Sequence, residues 1–221
     1  MTRDELETEI RNKLGYNTGL AQSIITGALD NAQDLLEKEP ELPWFLETEI
    51  STISTVVDEE RIPVPSGYIM SIPENPLWYY NTTAAAGTLP DWIEIPKANM
   101  GDLRIWNNRN NESAQVGAPQ AYALQGKYFR LFPTPDAVYA IKHIYYAQQA
   151  KLTSGSDTND WSINAPYMLL GKAGTLISMN NRDQKSADIF NTLYQDDARR
   201  ILLLSEGREH AGAVYARGGA D

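Results

Sequence analysis

The chain has 221 residues, 42% of them hydrophobic and 22% charged, with a formal net charge of −10, two histidines and no cysteine. That length and apolar content suffice for one sizeable domain or two small ones and exclude a disordered chain. The lack of cysteine excludes a disulfide framework and thiolate chemistry, and the acidic balance argues against a dedicated nucleic-acid binder, which carries a basic stripe, though not against a wall that DNA passes without sticking.

No stretch reaches the roughly 18 apolar residues of a membrane-spanning helix. The first residues, Met1 to Leu6, are charged and amphipathic and do not read as a signal peptide, so a cytoplasm-like compartment is expected. Thr2 followed by Glu5 is a capping-box pattern, and Leu6, Ile10 and Leu14 recur every four residues, which predicts a helix over 2–14 ended by Gly15. A longer helix is predicted over 18–38. Its apolar stripe is Ala21, Ile24, Ile25, Ala28, Ala32, Leu35 and Leu36, with Asp30, Asn31, Gln33, Asp34 and Glu37 largely away from it. The small residues on the stripe would let another helix approach closely, and Pro40 and Pro43 stop the helix.

From Trp44 to Val57 the apolar period moves towards two. Asp58 to Arg61, Pro63, Pro65 and Gly67 read as turns, and 68–72 as a short strand. Residues 73–96 read as an aromatic, loop-rich segment; a helical turn or two fits 98–106, and 107–111 is a polar loop. The stretch 117–152 reads as three short strands. Tight turns separate them at Gln125-Gly126, before Tyr128, and at Pro133 to Asp136, before Val138. A flexible polar linker is expected over 153–160. Asn164 as a cap and Pro166 in the first turn predict a helix with Met168, Leu169, Ala173, Leu176 and Ile177 on its apolar face. The last long helix, 183–206, has Phe190, Leu193, Tyr194, Ala198, Ile201, Leu202 and Leu204 at helical spacing. Residues 207–221 are Gly/Ala-rich and read as a tail that is disordered or held by a partner. The fold class is therefore α+β: a helical bundle from two N-terminal helices (1–42) and two C-terminal helices (153–206), a β-rich insertion (43–152), and an extended C-terminal tail (207–221).

Catalytic constellations are missing from the sequence. It has no Gly-rich phosphate loop, no His-Glu-x-x-His, no Gly-x-Ser-x-Gly and no His/Cys cluster, and neither a cofactor nor a metal is expected. Glu47, Glu49, Asp91 and Glu94 stand out from no other carboxylates as an acid–base pair and read as solvated charge. His143 reads as a hydrogen-bonded strand histidine rather than a pH-sensitive contact. His210 reads as helix-end chemistry, with a partner contact as the alternative. Trp78, Tyr79, Tyr80 and Trp92 could stack sugars or bases, but without basic residues interleaved they read as core or as a subunit contact.

One run carries a likeness: Gly117-x-Pro119-x-x-Tyr122, Gly126, Phe129-Arg-Leu-Phe-Pro-x-Pro-Asp136, then Tyr139-x-Ile141, Tyr145, Tyr146 and Leu152. With the helix pair before it, Trp161 opening the next helix, and a long helix holding Asp188, Tyr194 and Arg199, the chain resembles the head–tail adaptor (connector) proteins of tailed bacteriophages. That resemblance implies a non-enzymatic virion protein, assembled in the host cytoplasm and located in the neck. It would form a ring, typically of twelve copies, beneath the portal protein, extend the DNA channel without sequence-specific binding, and dock tail or nozzle proteins. It implies no catalytic residue and no membrane. The segment matching the family's portal-directed C-terminus holds Gly207, Arg208, Glu209, His210, Tyr215 and Arg217. Alternatives are another virion structural protein, such as a tail or baseplate component, and a carbohydrate-binding or cell-wall-acting module.

Overall fold

The computed structural model describes residues 1–15, 19–73, 76–80, 92–103 and 115–217, the last twelve of these as backbone. The chain is α+β, with helices at both ends and antiparallel sheets between them. It divides into two compact units, one of residues 1–46 and 148–221 and the other of 47–147.

The first unit is helical. Helix α1, Arg3–Lys13, starts on the expected capping box: Thr2 accepts from the Glu5 amide, and the Glu5 side chain accepts from the Thr2 amide. Helix α2, Gln22–Leu36, starts later than the sequence suggests and has no side-chain cap; the expected start at Thr18 lies outside the described residues. Arg11 fixes the approach to α2 instead, donating to the Leu20 carbonyl at 3.0 Å and to Gln22 Oε1 at 2.6 Å. Ile25, Ala28, Ala32 and Leu36 are buried as the stripe predicts and Leu29 joins them, whereas Ala21, Ile24 and Leu35 are exposed.

Gln33 and Glu37 were expected on the polar side of α2 and are buried. They face the chain returning from the β-rich segment: Gln33 Nε2 donates to the Gln149 carbonyl at 2.8 Å, and Glu37 Oε1 accepts from the Gln149 amide at 3.1 Å. Asn159 Nδ2 donates to Gln33 Oε1 and to the Ala150 carbonyl. Buried polar groups persist when they are bonded in this way. The supposed linker 153–160 is also held, because Asp157 accepts from the Thr153 and Ser154 amides and the Thr153 hydroxyl. Asn159 caps the short helix α3, Asp160–Asn164, and buried Trp161 meets Phe45 edge-on at 5.2 Å.

Helix α4, Pro166–Asn180, packs against α1, α2 and helix α5, Gln184–Arg217. Gly171 and Gly174 let α4 and α5 meet closely. A Cβ on Gly171 would lie 2.6 Å from the Phe190 carbonyl oxygen, and one on Gly174 would lie 2.2 Å from the Phe190 ring. Asn164 ends α3 and does not cap α4. That cap comes from Asp197 of α5, whose carboxylate accepts from the Tyr167 and Met168 amides, each at 3.1 Å. Arg200 Nε holds the same carboxylate at 2.7 Å.

The second unit carries two sheets. In one, strand β8 (Ala140–Ala147) is central: β1 (Glu47–Ser54) lies along one edge, and β3 (Tyr68–Ser71) and β4 (Leu77–Tyr80) share the other, followed by β5 (Trp92–Glu94). In the other the order is β2-β7-β6, from Arg61–Pro63, Tyr128–Phe132 and Ala121–Gln125. The β6–β7 hairpin turns at Gly126, whose φ of 61° suits glycine. The three strands expected over 117–152 are present as β6, β7 and β8, but they divide between the two sheets at the second turn. Pro133 and Pro135 bring no amide donors to extend the ladder, and the chain crosses to the other sheet as β8. The supposed loop 73–96 contributes β4 and β5. Ile62, Leu77, Tyr79, Ile95, Tyr122, Phe129, Leu131, Tyr139 and Ile141 form the core between the two sheets.

Candidate functional site

Strand alternation splits the aromatic cluster of β4 and β5. Leu77 and Tyr79 are buried, with Tyr79 edge-on to Tyr139 at 5.4 Å, so Tyr79 belongs to the core. Trp78, Tyr80 and Trp92 stand on the opposite face, where Tyr80 and Trp92 meet edge-on at 5.4 Å. Lys142 of β8 places its ammonium over both indoles, 5.2 Å from Trp78 and 5.3 Å from Trp92. Each arrangement is a cation–π contact. Glu49 approaches Lys142 at 3.9 Å, and Glu47 accepts from the Tyr146 hydroxyl at 3.3 Å. The faces a sugar ring would stack on are therefore shared with an ammonium. Lys142 lies more than sixty residues from Trp78 in sequence, and only the β4–β8 register, with Trp78 opposite Lys142, brings it there.

Glu47 and Glu49 share strand β1, Glu94 lies on β5 with β8 and β4 between them, and Asp91 lies outside the described residues. Among the described residues no group of three or more His, Asp or Glu could hold a metal ion, and no helix is long and apolar enough to cross a membrane. His143 is fully buried. Its Nε2 is 3.3 Å from the Ser71 hydroxyl, its ring stacks on Tyr145 at 4.9 Å, and the Phe129 ring meets it edge-on at 4.7 Å. Burial holds its pKa down at about 4, so the ring is neutral and sits inside the core rather than facing a partner.

In the helical unit the conspicuous surface is the C-terminal part of α5. The Asp197 cap sets α4's first turn level with residue 197 of α5. At 1.5 Å per residue, the twenty residues 198–217 run on for roughly 30 Å beyond that point. Just past the cap come Ile201, Leu202, Leu203 and Leu204. At about 100° per residue these four make the helix apolar on every side. Only Ile201 is covered; Leu202, Leu203 and Leu204 are 52%, 68% and 45% exposed. Beside them a groove of about 240 Å³ runs between α5 and the segment 39–43. One wall is fixed by Glu39, which accepts from the Tyr194 hydroxyl and pairs with Lys172 at 3.2 Å. Burial, then Glu39, pushes the Tyr194 phenol up to about 12.

The residues expected in a tail, Gly207, Arg208, Glu209, His210, Tyr215 and Arg217, lie on the continuing backbone of α5, within about three turns. The segment expected as an extended tail is helical as far as Arg217. Glu206, Arg208, Glu209, Ala211, Ala213 and Ala216 are good helix formers, and extending an existing helix costs far less than nucleating one. Leu203, the most exposed of the three leucines, lies outside the helically spaced set that holds Leu202 and Leu204. No curated protein matches the chain. A family model does match, over residues 1–217, and the chain belongs to the SU10 adaptor protein family.

Proposed function

We propose that this chain is the head-to-tail adaptor subunit of a phage neck, forming a ring, twelve-fold in our reading, beneath the portal protein. Family membership supports the coarser part, a non-enzymatic phage structural protein that contacts other virion proteins. The overhang of α5 supports the finer part: a helix apolar on all sides at 201–204 and uncovered at Leu202, Leu203 and Leu204 is built for a contact outside its own unit. In this reading residues 207–217 reach the portal, and the Trp78, Tyr80, Trp92 face of the sheet unit meets a neighbouring subunit. The net charge of −10 gives a channel wall that repels phosphates and lets DNA slide. Tail proteins dock on the far side of the ring.

Mass measurement on the chain with and without portal protein tests this. A ring-sized species on mixing is expected, and a chain that stays monomeric with portal present refutes the reading. Truncation after Ser205 should abolish portal binding; unchanged binding removes the end of α5 from the site.

A further inference from the structure

The β6–β7 hairpin ends in a tight turn at Gly126 and Lys127, and the residues around that turn are uncovered. Leu124 is 40% and Tyr128 47% exposed. Lys127 is exposed and its ammonium has no partner among the described residues. The neighbouring chain brings no acid to it: Pro63 stands opposite Tyr128, and the Val64 amide donates to the Lys127 carbonyl at 3.1 Å. The tip is thus a convex knob, aromatic and basic. In the helical unit, the groove between α5 and the segment 39–43 has the opposite character. Pro40, Leu42, Met168 and Leu202 make it apolar, and its volume of about 240 Å³ lies below the roughly 300 Å³ of the smallest ligand pockets, a size suited to one large side chain. No basic residue lines it. Glu39 is engaged by Tyr194 and Lys172, whereas Glu41, also on the lining, is exposed and has no partner among the described residues. The cations nearest in sequence are turned elsewhere: Lys38 lines the separate groove between α2 and α4, and Arg200 is held by Asp197 and the Asn164 carbonyl.

We infer that this groove takes the hairpin tip of a second copy of the chain, with Tyr128 of one subunit seated between Pro40 and Leu202 of the next and Lys127 paired with Glu41. Copies with a net charge of −10 repel one another at long range, so a self-contact needs a place where opposite charges meet. The unpaired Lys127 and the unpaired Glu41 supply it, each beside the apolar surface that the contact would cover. A tyrosine in a desolvated pocket is among the strongest single contributors to an interface, and a knob held by a two-residue turn loses little freedom on binding. Tip and groove are different surfaces, so the contact is heterologous: every copy gives one knob, receives one, and the pattern repeats around a ring. Leu203 and Leu204 do not line the groove and stay free for the contact proposed at the end of α5. The inference rests on the ring reading and names one contact that closes the ring.

Charge exchange tests it. The full chain is weighed over a range of concentrations, alone and with portal protein, as wild type, as Tyr128→Ala, Lys127→Glu and Glu41→Lys, and as the double variant carrying both charge changes. All three positions are exposed, so each variant should keep the wild-type melting temperature. Each single variant should raise the concentration needed for half-assembly by about tenfold or more. The double variant, with the two charges exchanged, should return to within about threefold of wild type. Single variants that assemble like wild type overturn the inference and leave the adaptor reading standing. A double variant no better than its parents overturns it as well, since Lys127 and Glu41 then do not meet. So does a Tyr128→Ala ring that forms normally but no longer binds portal, which would assign the hairpin to the portal. A wild-type chain that stays monomeric with portal present overturns both readings.

Discussion

His143 offers a sharp test of the β-rich unit, because acid should act on it through one side chain. In the folded unit the ring titrates at about 4 and in the unfolded chain at its ordinary value near 6.5. A depressed histidine pKa means that the unfolded chain binds the proton first. The stability this group contributes is complete above about pH 6.5, declines as pH falls towards 4 and is gone below that. From those two values the loss is about 2 kcal/mol at pH 5 and approaches roughly 3.4 kcal/mol below pH 4. Burial is the sole cause of the shift, and the ring's neighbours are Tyr68, Phe129, Tyr145 and the Ser71 hydroxyl, none of them charged at these pH values.

The chain has two compact units, so the readout must be local. Hydrogen exchange followed by mass spectrometry on a peptide covering 140–147 reports the opening of β8, the central strand. Corrected for the intrinsic exchange rate, protection of that peptide should fall about twentyfold between pH 7 and pH 5. His143→Gln lowers protection at every pH, since it disturbs a packed site, but its protection should not vary with pH over this range. If the wild-type and His143→Gln peptides lose protection in parallel, the buried-histidine account is wrong and another group carries the acid response.

Two substitutions probe the α4–α5 contact. Asp197→Ala removes the acceptor for two amides at the start of α4 and the partner of Arg200. It should cost about 2–3 kcal/mol in urea unfolding followed by exchange at α4 peptides, with Asp197→Asn losing less because it keeps an acceptor. Gly171→Ala should destabilise by up to about 3 kcal/mol despite a helix-propensity gain near 1 kcal/mol, since the new methyl meets backbone atoms at 2.6 and 2.8 Å that cannot rotate away. A neutral Gly171→Ala would show that α4 and α5 do not pack this closely.

What was legible in the sequence was local. The Thr2–Glu5 cap and the Gly126 turn depend on residues within a few positions of one another, so their chemistry is visible in a short window. What was missed depends on distant partners. Strands β4 and β5 are short and irregular in sequence and exist because β8, some sixty residues on, offers β4 an edge. Gln33 and Glu37 look like a solvated face until residues 149–159 return across them. Leu202 and Leu204 fit the helical period as well as Ile201 does. Only the position of the Asp197 cap shows that α4 has ended before they could pack on it. The aromatic cluster was found as a group, but its division into core (Tyr79) and surface (Trp78, Tyr80, Trp92) needed the pleat, and its cation needed the register.

The helical character of residues 207–217 changes the energetics of the proposed docking. A disordered segment must order its backbone when it binds, at roughly 1–2 kcal/mol per residue, and that cost is subtracted from the contact. An arm already helical has met much of that cost in folding, so a few apolar contacts suffice for useful affinity. The gain in affinity comes with a loss of adaptability. A flexible tail can reshape itself to a partner of different rotational symmetry, whereas a helix whose register is fixed by Asp197 presents one geometry. In the proposed assembly a ring of such arms would fit best on a portal that repeats at the same spacing, and a change of symmetry along the neck would fall at the tail-facing side rather than at the end of α5.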